Sequence, residues 1–178
     1  VTISTGIWLT LLHRTVKLYL HILIFLNGLL TRKDNHMIKR DLKDNFQISI
    51  SGQDTWYDMN VPGSAMETFC KEGILPDPYY GMNEYKWTEF WKNDFDIRSA
   101  FSVSAEEIVL TFYGIDTVAD VFLNGKKLGH TENMHRTWVY QVKELVKEGE
   151  NLLELHIASP VKFIETYKPE KGREIHFT

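Results

Sequence analysis

The sequence lacks the features that mark disulfide-linked, zinc-binding and nucleic-acid-binding proteins. Its 178 residues include one cysteine, Cys70, so no internal disulfide can form. No Cys/His spacing resembles a structural zinc site. Lys and Arg number 20 against 24 Asp and Glu, a net charge of -4, which supplies no basic surface for a phosphate backbone. Nucleic acid is therefore not an expected partner, and no cofactor is expected.

Long uninterrupted hydrophobic runs are also missing. Leu, Ile and Phe crowd residues 18–30, but Lys17 directly precedes this stretch and His21 interrupts it, and a membrane-spanning helix needs about 20 apolar residues. Residues 31–36 offer no cleavage pattern of a signal peptide. We therefore interpret residues 1–36 as an apolar and basic extension that is not part of the fold, with Met37 as the true start. We expect a cytoplasmic protein without a membrane partner; a secreted or membrane-anchored protein is the alternative if residues 1–36 are a genuine signal.

The apolar residues that are present follow the pattern of a β protein. They alternate along residues 108–112, 119–123 and 153–157, and a period of two indicates strands. Asn124-Gly125 predicts a type I′ hairpin turn, with the return strand beginning at Leu128. Residues 138–142 are a further expected strand, and residues 149–151 a turn. Short strands at such intervals predict an all-β fold, an antiparallel sandwich or jelly roll.

One short helix is expected near the start of this β domain. Ser64 and Glu67 have the spacing of a capping box, and Gly73 supplies a stop. Three apolar residues share one helical face: Met66, Phe69 and Cys70. The pattern predicts a helix over residues 65–72. Two prolines and a glycine then exclude regular structure over residues 74–83, which we predict to be a fixed loop that carries aromatic residues.

No catalytic arrangement is visible. The sequence lacks a phosphate-binding loop, a dinucleotide fingerprint, a zinc-protease helix and a Gly-x-Ser-x-Gly elbow. Glycoside hydrolysis with retention needs two carboxylates about 5 to 5.5 Å apart, and no obvious pair is present. His130 and His135 are expected to be solvated rather than to bind a metal. We therefore assign no catalytic residue and no metal ligand.

Three ordered motifs resemble a known family. They are Val-Pro-Gly-Ser at residues 61–64, Gly-Ile-Leu-Pro-Asp-Pro-Tyr-Tyr-Gly-Met-Asn-Glu at residues 73–84, and Phe-Tyr-Gly-Ile-Asp-Thr-Val-Ala-Asp-Val-Phe-Leu-Asn-Gly at residues 112–125. Together they are similar to the β-mannosidases of glycoside hydrolase family 2. The resemblance implies that residues 37–178 form the N-terminal domain of such an enzyme, a jelly-roll, galactose-binding-like β-sandwich.

The resemblance also implies what this domain does. In that family an immunoglobulin-like domain and a TIM barrel follow, and the barrel carries both catalytic glutamates. The chain is then a fragment of an exo-acting retaining β-mannosidase, which removes terminal non-reducing β-mannose residues from oligosaccharides. We expect the fragment alone to be inactive and to need its missing C-terminal domains. Residues 171–174 stop short of the family's Trp-Asp-Trp-Gly segment. A free-standing carbohydrate-binding module is the alternative, as is the same domain of a β-galactosidase or β-glucuronidase.

Six residues on two stretches are the predicted substrate-binding or domain-interface residues. The resemblance implies that Tyr80, Asn83 and Glu84 lie toward the face where the barrel docks. There Asn83 and Glu84 hydrogen-bond sugar hydroxyls or barrel loops, unless they only satisfy their own loop. The second stretch contributes three residues: Asn133, Arg136 and Trp138. It departs from the family at His135, where an aromatic residue is more common.

The remaining aromatic residues and one acid are given structural roles. Trp138 is expected to pack in the core or at a domain interface rather than to stack on sugar. Trp56, Trp87 and Trp91 are likewise expected to be packing residues. Asp116 is expected to order the turn between two strands.

Overall fold

The computed structural model describes residues 24–33, 36–103 and 108–166. Residues 171–174, which bear on the Trp-Asp-Trp-Gly segment, lie outside this part of the chain. The elements are, in chain order, β1 (Ile24–Lys33), β2 (His36–Arg40), β3 (Phe46–Ile50), β4 (Tyr57–Asp58), α1 (Ala65–Lys71), α2 (Glu84–Phe90), β5 (Phe95–Val103), β6 (Ile108–Ile115), β7 (Ala119–Leu123), β8 (Lys126–Thr131), β9 (Trp138–Gln141), β10 (Gly149–Ile157) and α3 (Pro160–Thr166).

The strands form two antiparallel sheets. One has four strands in the order β2-β1-β6-β9, and the other has six in the order β4-β3-β5-β10-β7-β8. Side chains alternate along β5, β7 and β10, with one set buried and the other partly or fully exposed. The buried sets of both sheets belong to one hydrophobic core, which includes Ile97, Leu110, Phe112, Val121 and Leu155. The predicted all-β antiparallel sandwich is confirmed.

The Asn-Gly turn forms as predicted between β7 and β8. Asn124 has φ 51° and Gly125 has φ 77°, the left-handed backbone that a type I′ turn requires at both positions. Pairing begins directly beside the turn, with Leu123 opposite Lys126. The return strand therefore starts two residues earlier than the predicted Leu128.

A second boundary also differs from the prediction. Residues 149–151 were expected to be a turn, but β10 begins at Gly149, which pairs with Val103 at the end of β5. Gly149 has φ 86°, so the first paired residue of β10 has a backbone conformation that is typical of a turn. The long partner strand β5 extends the pairing to this point, and sequence pattern alone does not show how far a ladder runs.

Helix α1 confirms the expected helix, and the capping residue is the predicted one. The backbone N–H of Glu67 donates a hydrogen bond of 3.1 Å to the Ser64 hydroxyl. Met66 and Phe69 are buried and Cys70 is half-buried. The expectation of a single helix is wrong, because the described residues contain two more, α2 and α3.

The two additional helices have different origins. Helix α2 is short and depends on tertiary packing, because its Trp87 is fully buried and its ring packs against Phe90 and Trp91. Helix α3 begins at Pro160, and Ser159 accepts a hydrogen bond of 3.2 Å from the Lys162 N–H. Ser159 is thus the N-cap, and Pro160 is the first residue of the helix. A serine followed by proline is a sequence pattern that marks the start of a helix.

Strand β1 departs from the expectation that residues 1–36 lie outside the fold. It pairs antiparallel with β6, with Ile24 opposite Ile115, and with β2, with Lys33 opposite His36. A strand edge of β6 that would otherwise be unpaired thereby gains a partner. Residues 1–23 lie outside the described part of the chain. None of the described helices is long and apolar enough to cross a membrane.

Candidate functional site

The first predicted stretch lies on the connection between α1 and α2. The Asp77 carboxylate accepts a hydrogen bond of 2.9 Å from the Tyr79 N–H, and the Asp77 carbonyl accepts one of 3.0 Å from the Asn83 side-chain amide. Asn83 therefore bonds its own loop and holds it in one shape. Tyr80 is 78% exposed and presents its ring to solvent. The predicted fixed loop with aromatic side chains is confirmed.

Glu84 lies where this loop becomes helix. It is the first residue of α2, and its carbonyl accepts a hydrogen bond of 3.1 Å from the Thr88 hydroxyl. A carboxylate in the first turn is favoured by the partial positive charge of the helix N-terminus. Glu84 thus has a structural role at the start of α2, and its role in contacting sugar or the barrel stays a prediction.

The second predicted stretch forms the connection between β8 and β9. Asn133 accepts a hydrogen bond of 2.9 Å from the His135 N–H through Oδ1, and one of 3.3 Å from the Trp138 indole through its carbonyl. The Arg136 guanidinium carbon lies 4.6 Å from the centroid of the Trp138 ring. Trp138 is half-buried and packs against the core, as expected. The three predicted residues therefore form one locally bonded unit.

Tyr140 lies on β9, two residues beyond this unit. Burial raises the pKa of its phenol, while the Arg136 charge acts in the opposite direction. Its hydroxyl is buried and has no hydrogen-bond partner within the described ranges. The ring packs edge-on against Phe112 at a centroid distance of 6.0 Å. Tyr140 thus packs β9 against β6 at the hydrophobic core.

A cavity that sequence reasoning missed lies at one end of the sandwich, where β6, β8 and β10 finish and β7 begins. Its volume is about 270 Å³. The lining residues are Trp91, Asp116, Thr117, Val118, Glu132, Ile157, Ala158, Pro160, Phe163 and Ile164. We call it the Asp116 cavity. Two carboxylates line it and no Lys or Arg does, so its chemistry suits a hydroxyl-bearing neutral group better than an anion.

Asp116 itself is 4% exposed, and the Thr117 hydroxyl donates a hydrogen bond to its carboxylate. This agrees with the expected role in the connection between two strands. Nearby, the Trp91 indole N–H is buried and finds no acceptor in the described part of the chain. The sequence could not reveal this cavity, because its wall comes from four connections, one strand and one helix that are separate along the chain.

The tryptophans divide into two groups. Trp87 is fully buried and Trp91 is 2% exposed, so their predicted packing roles are confirmed. Trp56 is half-buried, and the Arg98 guanidinium carbon lies 3.9 Å from its ring centroid. Trp56 is not among the buried core residues. The packing that the structure shows for it is the stack with Arg98.

The two histidines singled out from the sequence, His130 and His135, lie at the surface. His130 Nδ1 lies 2.6 Å from Asp120 Oδ1, and half of its side chain is exposed. His135 is exposed. Within the described ranges, no group of three or more His, Cys, Asp or Glu side chains could hold a metal ion.

Comparison with known proteins decides the family. Residues 45–177 match the family described as the glycosyl hydrolase 2 galactose-binding domain-like domain. The chain belongs to this family. β-Mannosidase of Bos taurus is 31% identical to this glycosyl hydrolase 2 domain over 133 residues, which are 71% of this chain and 15% of that protein. β-Mannosidase of Rattus norvegicus is 29% identical over 129 residues, which are 70% and 14%.

A solved structure agrees with these two relatives. The crystal structure of β-D-mannosidase from Dictyoglomus thermophilum matches with a TM-score of 0.67 and 36% identity, and the match covers 75% of this chain and 18% of that one. The resemblance inferred from the three motifs is therefore confirmed. The chain spans less than a fifth of the length of each of these relatives.

Proposed function

We propose that this glycosyl hydrolase 2 domain is the first domain of an exo-acting retaining β-mannosidase, with terminal β-mannose residues of oligosaccharides as substrate. The observation that carries the proposal is the match to the D. thermophilum β-D-mannosidase, at 36% identity over 75% of the chain. The mammalian relatives, also named β-mannosidases, support the same sugar.

The role proposed for this domain is support of an active site that other domains build. Retention requires a nucleophile and an acid/base carboxylate, and both belong to the catalytic barrel in the family. In this proposal the domain contributes no catalytic residue but a surface that contacts the oligosaccharide or the barrel. Tyr80 offers an exposed apolar ring, and Arg136 offers a guanidinium held beside Trp138. These side chains either contact the oligosaccharide or dock the barrel.

The Asp116 cavity is a second surface that we expect another domain of the protein to contact. Exposed apolar side chains of α3, Phe163 at 46% and Ile164 at 44%, stand at its wall. Apolar side chains with this exposure favour contact with another domain. We propose that this end of the sandwich is covered in the full-length enzyme.

Activity measurements on two proteins test the function. The full-length gene product is expected to hydrolyse an aryl β-D-mannopyranoside, and the purified 178-residue chain is expected to show no turnover. Aryl β-galactoside and β-glucuronide serve as the matched substrates. Turnover by the purified chain would contradict the supporting role, and a preference for either matched substrate would contradict the assigned sugar.

Single substitutions in the full-length enzyme test the contact residues. We expect Tyr80→Ala and Arg136→Ala each to raise KM or lower kcat/KM about fivefold, which corresponds to about 1 kcal/mol of binding. Tyr113→Ala is the matched control, because Tyr113 is an exposed aromatic residue on β6. Unchanged kinetics in both variants would remove these residues from the proposed site.

Localisation in the cytoplasm is a further part of the proposal. Cys70 is a free, half-buried thiol whose pKa is raised by burial and by the Asp77 charge, so it is poorly reactive. With its single cysteine, the 178-residue chain forms no internal disulfide and does not itself need an oxidising compartment. Fractionation of the native cells checks this, and recovery of the enzyme from the medium would contradict it.

A further inference from the structure

The outer face of the six-stranded sheet carries a row of side chains that crosses every strand. The strand registers place these residues side by side, in the order Asp58, Gln47, Arg98, Glu154, Phe122 and Lys127. Neighbouring strands lie about 4.8 Å apart, so the row is about 24 Å long. A row of this length suits an extended chain of linked units rather than a single small molecule.

Two grooves run along this row. One has a volume of about 450 Å³ and reaches Gln47 and Asp58, and the other has a volume of about 430 Å³ and reaches Phe122. Trp56, Arg98 and Glu154 line both grooves. The stack of Arg98 on Trp56 is therefore the wall that the two grooves share. Each groove has the size of an ordinary small-ligand site.

The wall between the grooves is held rigidly. Arg98 donates hydrogen bonds of 3.0 Å and 2.8 Å from Nε and Nη2 to the side-chain carbonyl of Gln47. The Gln47 amide in turn donates one of 3.0 Å to the Asp58 carboxylate. This chain fixes the guanidinium over the indole of Trp56. A platform fixed before binding lowers the entropic cost of placing a ligand against it.

Two carboxylates on this face, Asp96 and Asp120, have polar side-chain partners. Asp96 lies 2.7 Å from His156, and Asp120 lies 2.7 Å from Lys127 and 2.6 Å from His130. A polyanion would find few unpaired cations here. A neutral ligand rich in hydroxyls fits better, because each hydroxyl both donates and accepts hydrogen bonds.

Glu154 completes the polar lining. The residue is half-buried between the two grooves, and its side chain makes no hydrogen bond or ion pair with the residues that the structure describes. Its carboxylate is therefore an acceptor for ligand hydroxyls, next to the part of the Trp56 ring that lines the grooves and that the Arg98 guanidinium does not cover. An apolar ring beside hydroxyl acceptors is the combination that a sugar ring requires, since one of its faces carries C–H groups and its rim carries hydroxyls.

We propose that this outer-face groove binds a neutral oligosaccharide that lies across the strands. It shares no lining residue with the Asp116 cavity. The inference goes beyond the proposed function and does not rest on it, because a groove that holds a glycan chain requires no catalytic domain.

Titration of the 178-residue chain tests the proposal. The probes are β-1,4-linked mannohexaose and β-1,4-linked glucohexaose, followed by calorimetry and by tryptophan fluorescence. We expect saturable binding of at least one probe. Trp56→Ala is expected to weaken it at least tenfold and Glu154→Gln about fivefold, while Tyr113→Ala on the other sheet leaves it unchanged.

Circular dichroism shows that each variant is folded before its titration. If Trp56→Ala unfolds the chain, Glu154→Gln carries the test alone. Absence of saturation with both probes overturns the proposal, as does equal affinity of folded Trp56→Ala and the parent chain. Binding of a sulfated polysaccharide without either neutral probe also overturns it. A full-length enzyme that hydrolyses β-mannosides but fails these titrations would refute the groove and leave the proposed function intact.

Discussion

The side-chain amide of Asn124 donates a hydrogen bond of 2.9 Å to Oδ1 of Asn151. Asn124 is the first residue of the turn between β7 and β8, and Asn151 is a fully buried residue near the start of β10. The Asn124 amide also donates to the Leu145 carbonyl at 2.8 Å, and its Oδ1 accepts from the Leu152 N–H at 3.0 Å. The hairpin turn is thereby attached to the neighbouring strand and to the segment that precedes it.

We expect Asn151→Ala to lower the free energy of unfolding by about 2 to 4 kcal/mol, because several buried polar groups lose their partners. Besides Asn124, the Asn151 side chain bonds the N–H and carbonyl of Lys147 and the carbonyl of Gly149. Urea unfolding followed by tryptophan fluorescence measures the change. Asn60→Ala removes an exposed amide and is the control, with an expected change within about 0.5 kcal/mol. Equal losses in both variants would contradict the bonded role of Asn151.

Trp87 is expected to be the residue on which α2 depends. Its ring is fully buried in contact with Phe90 and Trp91, and its indole donates a hydrogen bond of 2.8 Å to the Pro76 carbonyl. We expect Trp87→Ala to lower the free energy of unfolding by about 3 to 5 kcal/mol. Trp87→Phe keeps most of the buried area but loses the hydrogen bond, so its loss should be smaller. Thermal unfolding measures both, and a negligible effect of Trp87→Ala would refute the dependence.

Two glycines, Gly63 and Gly129, have close neighbours that an added Cβ atom would meet, a backbone atom in one case and a side chain in the other. A Cβ atom at Gly63 would lie 2.2 Å from the Asn60 carbonyl oxygen, whereas one at Gly129 would lie 2.9 Å from the ring edge of Tyr140. A backbone atom cannot move away cheaply, but a side-chain ring can shift. We expect Gly63→Ala to lower the free energy of unfolding by about 2 to 3 kcal/mol and Gly129→Ala by about 1 kcal/mol or less. Denaturant titration compares them, and the reverse order would contradict this explanation.

Asp94 is expected to stabilise the fold in a manner that depends on pH. Partial burial acts to raise the pKa of its carboxyl, but the Ser159 N–H at 2.8 Å and the Lys162 ammonium at 3.0 Å outweigh it, and the pKa is lowered. Because the folded pKa lies below the unfolded value of about 3.9, the stabilisation is present above that value. It is lost as pH falls through the lowered folded pKa.

The variant Asp94→Asn checks this sign. Its free energy of unfolding should fall below that of the parent chain at pH 6, and the difference should shrink when both are measured from pH 5 down to pH 2. Asp54→Asn, at an exposed position, serves as the control. A difference that stays constant or grows as pH falls would contradict the assigned direction of the pKa shift.

Much of the candidate site could be located on the chain from its sequence, but its arrangement could not. The loop bearing Tyr80 and the connection bearing Trp138 were predicted as stretches with particular residues. Their internal bonding, with Asn83 and Asn133 each bound to its own loop, appeared only in the structure. Asn side chains have many local partners, and the backbone conformation decides among them.

Local interactions explain what the sequence by itself determined about this protein. The alternation of strands such as β7, the Asn124-Gly125 turn and the Ser64 cap each depend on neighbours a few residues away, so their patterns are legible in the chain. Only the tertiary structure decided the helical state of α2, the Asp116 cavity and the row across the outer face. Those features depend on side chains and strand registers brought together from distant segments, and burial and pairing between such segments have no signature in the local sequence.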